Sequence, residues 1–241
     1  MTQAPASLFL VMAACCALGL LVPELVRRVP EPPPEPPAEP TGEPPAAKET
    51  YAAVAARPGL AAKAALAAAL AGAVIGAVVG AHWPLLYLVP LVPICVALAV
   101  IDWRTSLLPT RVIAPTYVLT VGLVLVVAAV TGDVDDLVRA GWGWLIAGGS
   151  FLLLWFVHPA GLGYGDVRLS GILGIALGHL GWGELLVGLY AGFLLGGLGG
   201  GLLALLRVVD RRAFPFGPFM LVGALAGIAV GEPVLRSLVE G

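Results

Sequence analysis

The sequence carries unusually little charge. Of its 241 residues, only 12% are Asp, Glu, Lys or Arg, whereas 59% are hydrophobic and the mean hydropathy is +0.98. Soluble domains contain roughly 25% charged residues, so this composition indicates an integral membrane protein. The net charge is only −2, which excludes the basic surface that a nucleic-acid partner would require.

Cysteine and histidine are also scarce. The three cysteines, Cys15, Cys16 and Cys95, lie in apolar stretches without the C-x-x-C spacing of a zinc or redox site. We interpret them as packing residues. The three histidines are expected at different membrane depths. The sequence therefore predicts no metal site and no cofactor.

Long apolar runs, in contrast, fill most of the chain. A membrane-crossing helix needs about 20 apolar residues. We predict an all-α, polytopic membrane protein with about eight transmembrane helices, over residues 6–22, 60–81, 84–101, 112–130, 138–157, 167–181, 184–206 and 217–235. The first run has no basic residue ahead of it, and Arg27 and Arg28 follow it. It is therefore expected to be a retained anchor, not a signal peptide.

The segment between the first two runs is rich in proline. Residues 23–59 hold eleven of the 21 prolines, several glutamates and neither Cys nor His. Such a segment cannot bury a core and is predicted to be an extended, disordered linker. We therefore predict an N-terminal transmembrane anchor over residues 1–22, a Pro-rich cytoplasmic linker over 23–59 and a polytopic domain over 60–241.

The distribution of Lys and Arg predicts the orientation in the membrane. If residues 23–59 are cytoplasmic and eight helices alternate, eleven of the 13 basic residues lie inside and only Arg139 and Arg236 lie outside. Basic residues favour the cytoplasmic side. Both chain ends are then expected outside.

Two acids occupy matching positions in this arrangement. Asp102 ends the third predicted helix and Asp166 begins the sixth, so both lie at the cytoplasmic membrane face. A helix cap explains Asp166, but it explains Asp102 poorly, because the dipole at a helix C-terminus disfavours an anion. The other explanation is a catalytic pair that shares one proton, in which one carboxyl activates water and the other polarises a carbonyl.

Glycines surround the second acid. Gly161, Gly163 and Gly165 can take positive φ and allow another backbone to approach closely. A peptide that is to be hydrolysed must be extended and must come close to the acids. These glycines are therefore consistent with a proteolytic site.

Three segments resemble the type IV prepilin peptidases. "GLGYGDVRLSGILGIALG", beginning at residue 161, resembles the glycine-x-glycine-aspartate motif of that family. "IDWRTSLLPTR", over 101–111, resembles its other aspartate signature, and "FPFGPFMLVGALAGI", over 214–228, resembles its last helix. The resemblance implies catalytic roles for Asp102 and Asp166, an active-site loop that includes Gly163, Gly165, Arg168 and Pro109, and a peptidase domain over 60–241.

Two departures from the family pattern are evident. Arg168 occupies the position where the family usually has lysine. A guanidinium is a planar group with several N–H donors in fixed directions, whereas a lysine ammonium is a compact charge. The cysteine-bearing cytoplasmic insert of many members, which is linked to N-methylation, is replaced by the Pro-rich linker. The chain therefore resembles the short members, and the resemblance leaves methylation open.

The expected function is that of an intramembrane aspartyl endopeptidase. By resemblance, it would remove the leaders of prepilin-like or pseudopilin substrates at the bacterial inner membrane. The expected partners are these substrates and membrane lipid, with no nucleic acid and an oligomeric state that the sequence does not define. The main alternative is a transporter or channel in which the two acids relay protons or cations. A third is an inactive assembly factor with the same fold.

Overall fold

The computed structural model describes residues 3–32, 49–157, 162–199, 206 and 215–240, with side chains from residue 6 onward. This part of the chain is helical and contains no strand, which confirms the all-α prediction. The described residues form ten α-helices: α1 Gln3–Gly19, α2 Val22–Arg27, α3 Tyr51–Ala55, α4 Leu60–Val79, α5 Leu85–Thr105, α6 Thr110–Thr131, α7 Val134–Val157, α8 Tyr164–Leu180, α9 Trp182–Leu194 and α10 Gly217–Glu240. Leu195–Gly199 continues α9 as a π-helical turn.

A helix occupies each of the eight predicted spans. In the described part of the chain, seven helical segments are long and apolar enough to cross a membrane, the first of them continuing from α1 through α2. The remaining predicted span is α8, which has only 17 residues. Most of α8 is buried against its neighbours. It is therefore the helix that the bundle encloses most fully, and it carries Asp166.

Small residues allow three antiparallel helix pairs to pack closely. A Cβ added at Gly72 of α4 would lie 2.7 Å from the Cβ of Cys15 in α1. Gly143 of α7 and Gly174 of α8 meet backbone to backbone, and a Cβ at Gly227 of α10 would lie 2.7 Å from the Cα of Gly188 in α9. Packing through small residues is a main source of helix association in lipid, where the hydrophobic effect contributes little between helices.

The described ends of the predicted linker each contain a short helix, α2 on one side and α3 on the other. Glu31 accepts hydrogen bonds from the backbone N–H groups of Tyr51 and Ala52, each at 2.9 Å, and so ties the two ends together at the start of α3. Tyr51 and Val54 are buried against the bundle. The disorder predicted for the middle of the linker concerns residues 33–48, which lie outside the described residues.

Several other sequence expectations lie outside the described residues. They concern Gly161 of the glycine-rich motif, Lys48 and the basic residues Arg207, Arg211 and Arg212 of the charge count, and the end of the seventh predicted span. The orientation of the bundle therefore stays a prediction.

Cysteine labelling tests this orientation. In a variant without native cysteines, Ser106→Cys should resist an impermeant thiol reagent in intact cells, and Asp135→Cys should react. Ser106 lies in the turn between α5 and α6, whereas Asp135 is exposed near the start of α7 at the other end of the bundle. Labelling of Ser106→Cys after permeabilisation is the control for its accessibility. The opposite pattern in intact cells would invert the predicted topology.

Candidate active site

Asp102 lies one turn before the end of α5, and its side chain is only 4% exposed. The backbone N–H of Gly217 donates a 2.8 Å hydrogen bond to Asp102 Oδ2. Gly217 is the first residue of α10, so the carboxyl group faces the N-terminus of a second helix. The positive end of that helix dipole offsets the unfavourable dipole of α5.

Asp166 lies in the first turn of α8, and it is 6% exposed. Its Oδ2 accepts a 3.0 Å hydrogen bond from the backbone N–H of Gly163, the N-cap residue. The helix-cap explanation therefore accounts for one oxygen of this carboxyl. Oδ1 is buried and has no hydrogen-bond partner among the described residues. A buried carboxyl oxygen without a partner is costly and requires a functional explanation.

The fold brings the two acids together. Asp102 is near the end of α5, and Asp166 is at the start of α8. The first residue of α10, Gly217, is hydrogen-bonded to Asp102, so these three helix ends meet at one end of the bundle. The two carboxyl groups are near enough that the charge of Asp166 acts on Asp102.

Gly163 and Gly165, beside Asp166, do not adopt the positive φ that glycine allows. Gly163 is extended, with φ −73° and ψ 144°, and Gly165 lies within α8. A Cβ added at Gly165 would lie 2.5 Å from the Cβ of Leu108 in the loop between α5 and α6. Gly165 therefore leaves room for the Leu108 side chain, and this contact packs the loop that follows Asp102 against the first turn of α8.

Arg168 lies in the first turns of α8, and Pro109 lies at the start of α6. Pro109 is the N-cap residue of α6, and the guanidinium of Arg168 donates to the hydroxyl of Thr110 in the first turn of that helix. The same guanidinium lies over the ring of Tyr164, 4.5 Å from its centroid. Arg168 thus fixes the start of α6 to the start of α8.

Gly217 is the residue of this site to which sequence analysis assigned no role. The sequence feature that could have identified it is Pro-Phe-Gly-Pro at residues 215–218, at the start of the segment that resembles the family's last helix. A Cβ at Gly217 would lie 2.8 Å from Asp102 Oδ2. Only glycine allows both this close approach and the hydrogen bond without displacement.

The described residues contain no cluster of three or more His, Cys, Asp or Glu side chains that could hold a metal ion. The groups that converge on the site are two carboxyls and the backbone N–H groups that bind them. This set can transfer protons and activate water.

Comparison with known proteins identifies the family of this chain. No curated protein and no solved structure matches the chain. The family model described as "Type IV leader peptidase family" matches residues 89–231, more than half of the chain and a range that includes both acids. This multi-pass membrane protein therefore belongs to the type IV leader peptidase family.

Proposed function

We propose that the protein is an aspartyl endopeptidase that removes the leader of prepilin-like or pseudopilin substrates at the cytoplasmic face of the bacterial inner membrane. The observation that carries the proposal is the buried pair Asp102 and Asp166 at one end of the bundle. Each carboxyl has one oxygen held by a backbone N–H, and Asp166 Oδ1 has no partner among the described residues.

In the proposed reaction, one carboxyl is ionised and the other is protonated. The ionised group removes a proton from a water molecule, which attacks the scissile carbonyl, while the protonated group donates its proton to the carbonyl oxygen. Collapse of the tetrahedral diol breaks the C–N bond: the carboxyl that took the water proton gives it to the departing amine, and one hydroxyl of the diol returns its proton to the other carboxyl as the C=O bond forms. The pair then again holds one proton, so the proposed cycle uses no cofactor.

The distribution of polar groups favours this reaction over a proton or cation relay. A relay needs ionisable or hydrogen-bonding groups that continue through the membrane. Between Ser170 and His179, however, the buried residues of α8 are all aliphatic or glycine. Between Tyr87 and Asp102, the buried side chains of α5 are likewise all apolar. They are Leu88, Leu91, Val92, Pro93, Ala97, Leu98 and Ile101.

Co-expression with candidate substrates tests the proposal. A prepilin-like protein with a basic leader joined to an apolar helix should become shorter when co-expressed with this chain. N-terminal sequencing of the product should place the new terminus at the junction between leader and helix. Cleavage within the apolar helix, or no cleavage of any such substrate by the folded protein, would contradict the proposed function.

A further inference from the structure

Two aromatic residues lie on either side of the backbone N–H that binds Asp102. Gly217 donates that hydrogen bond as the first residue of α10. Phe216 precedes it, and Phe219 follows in the first turn of the same helix. The N–H groups of a first turn have no partner within their helix, and helix ends open more readily than helix centres. The place of this donor therefore depends on what holds the start of α10.

The ring of Phe216 packs against two other helices. It lies edge-on to Phe151 of α7, with 5.6 Å between the ring centroids, and 6.2 Å from the ring of Phe193 in α9. Phe151 and Phe193 in turn stack on each other at 4.6 Å. Aromatic pairs at such separations attract each other beyond the effect of their buried area. The three rings therefore join α7 and α9 to the residue that directly precedes Gly217.

The π-helical turn at the end of α9 receives the edge of the same ring. A Cβ added at Gly196 would lie 2.2 Å from Cε2 of Phe216, so any larger residue there would displace the ring. A Cβ at Gly199 would lie 2.9 Å from Cε1 of Phe219, whereas one at Gly197 would meet no atom of the described residues within 4 Å. π-Helical turns are rare and are frequent at functional sites. This one fits the two rings that flank the donor.

Phe219 holds the other side of the first turn. Its ring centroid is 6.4 Å from that of Trp103, the residue that follows Asp102 in α5. Phe216 thus connects the start of α10 to α7 and α9, and Phe219 connects it to the helix that carries the acceptor. Contacts on both sides of Gly217 therefore fix the donor relative to the carboxyl that it binds.

We propose that Phe216 is a positioning residue for Asp102. Its ring, seated against Gly196 and Phe151, sets the place of the adjacent Gly217 N–H. That N–H in turn orients the carboxyl of Asp102. The inference rests on the proposed function for the reaction that this carboxyl performs. Because Phe216 acts through the backbone of the next residue, its ring should affect kcat more than substrate binding.

A size exchange between the ring and the π-helical turn tests this role. Gly196→Ala should lower kcat about tenfold and leave KM within about twofold, because the added methyl group displaces the ring and with it the start of α10. Phe216→Leu should lower kcat severalfold. The combined variant should be faster than Gly196→Ala alone, since the shorter leucine leaves room for the methyl group. Losses that simply multiply would show independent sites and overturn the proposal.

Gly197→Ala is the matched control within the same turn. It introduces the same methyl group one residue away, at an exposed position, and should keep the wild-type kcat and KM. A general effect of alanine on the π-helical turn would appear in both glycine variants. Equal losses of kcat in Gly196→Ala and Gly197→Ala would therefore contradict the proposed contact.

Combination with Gly217→Ala separates positioning from a general loss of stability. Phe216→Leu should lower kcat little further in a Gly217→Ala background, because both changes act through one hydrogen bond. Val127→Ala creates a cavity in the far half of α6, where the side chain is 1% exposed. It should lower the thermal stability and keep kcat. If Val127→Ala reduces kcat as much as Phe216→Leu does, kcat follows stability and the positioning role is wrong.

Hydrogen–deuterium exchange tests the same contact without catalysis. In detergent-solubilised protein, the amides at the start of α10 should exchange severalfold faster in Gly196→Ala than in the wild type or in Gly197→Ala. Phe216→Leu should show the same increase, which provides the test if Gly196→Ala does not fold. If these differences appear in a protein that cleaves no leader, the contact is retained and the proposed function is rejected. Exchange at the wild-type rate in both Gly196→Ala and Phe216→Leu would overturn the inference, whether or not the protein is active.

Discussion

Asp102→Asn and Asp166→Asn are each expected to abolish measurable leader removal. Asn has nearly the same shape as Asp but can neither share the proton of the pair nor deprotonate water. General acid–base groups contribute about 10²- to 10⁴-fold to rates, and loss of either member disables the whole pair. Because the two carboxyls act as a unit, the double variant should be no slower than either single variant. Cleavage in membranes, followed by gel shift and N-terminal sequencing, measures the effect.

Two other acids supply the controls. Asp133 and Asp135 are exposed near the start of α7, and Asp133 Oδ1 accepts the backbone N–H of Asp136 as a helix cap. Asp133→Asn and Asp135→Asn should therefore cleave at the wild-type rate. Equal expression and extraction of all variants would show that activity alone has changed. Substantial leader removal by Asp166→Asn would contradict the assignment of that residue.

Gly217→Ala is expected to lower kcat by about tenfold to hundredfold, since misplacing a catalytic group by about 1 Å can cost about that much. The new Cβ would lie 2.8 Å from Asp102 Oδ2 and 3.3 Å from its Cγ. The carboxyl or the start of α10 must therefore move. The substitution should not unfold the protein, because alanine favours helix over glycine by about 1 kcal/mol. Steady-state kinetics and thermal unfolding of the purified protein separate the two effects.

Gly122→Ala is the matched control for this prediction. Gly122 lies within α6, and a Cβ there would meet no atom within 4 Å. This variant should keep wild-type kcat and equal or higher thermal stability. Wild-type activity of Gly217→Ala would show that the hydrogen bond to Asp102 does not position that carboxyl for catalysis.

Composition and apolar run length were sufficient to predict the membrane class and the positions of the helices. Each crossing helix satisfies its own backbone hydrogen bonds and must be apolar over about 20 residues, so the signal is local. The sequence did not show how α8 and the ends of the linker are held. In both places the structure depends on neighbours: α8 is enclosed by other helices, and Glu31 caps α3 from 20 residues away.

The glycine spacing of α4 gave part of its packing in advance. Gly72, Gly76 and Gly80 lie at four-residue intervals, a spacing that is typical of a close-packing helix face. Gly72 and Gly76 do contact α1, but Gly80 ends α4 with φ +64°. Spacing identifies a helix face, whereas the length of the helix decides which glycines remain on it.

The sequence by itself determined the all-α membrane fold, the family resemblance and the two candidate acids, because each depends on residue type and on spacing along the chain. Only the tertiary structure decided how Asp102 is stabilised. The sequence showed an anion at the unfavourable end of α5, and the fold supplies the missing compensation through the Gly217 N–H and the dipole of α10, 115 residues later. An apolar groove of about 820 Å³ between α4, α5, α8 and α10 is likewise formed by helices from distant parts of the chain, since helix packing and not local sequence leaves that space between them.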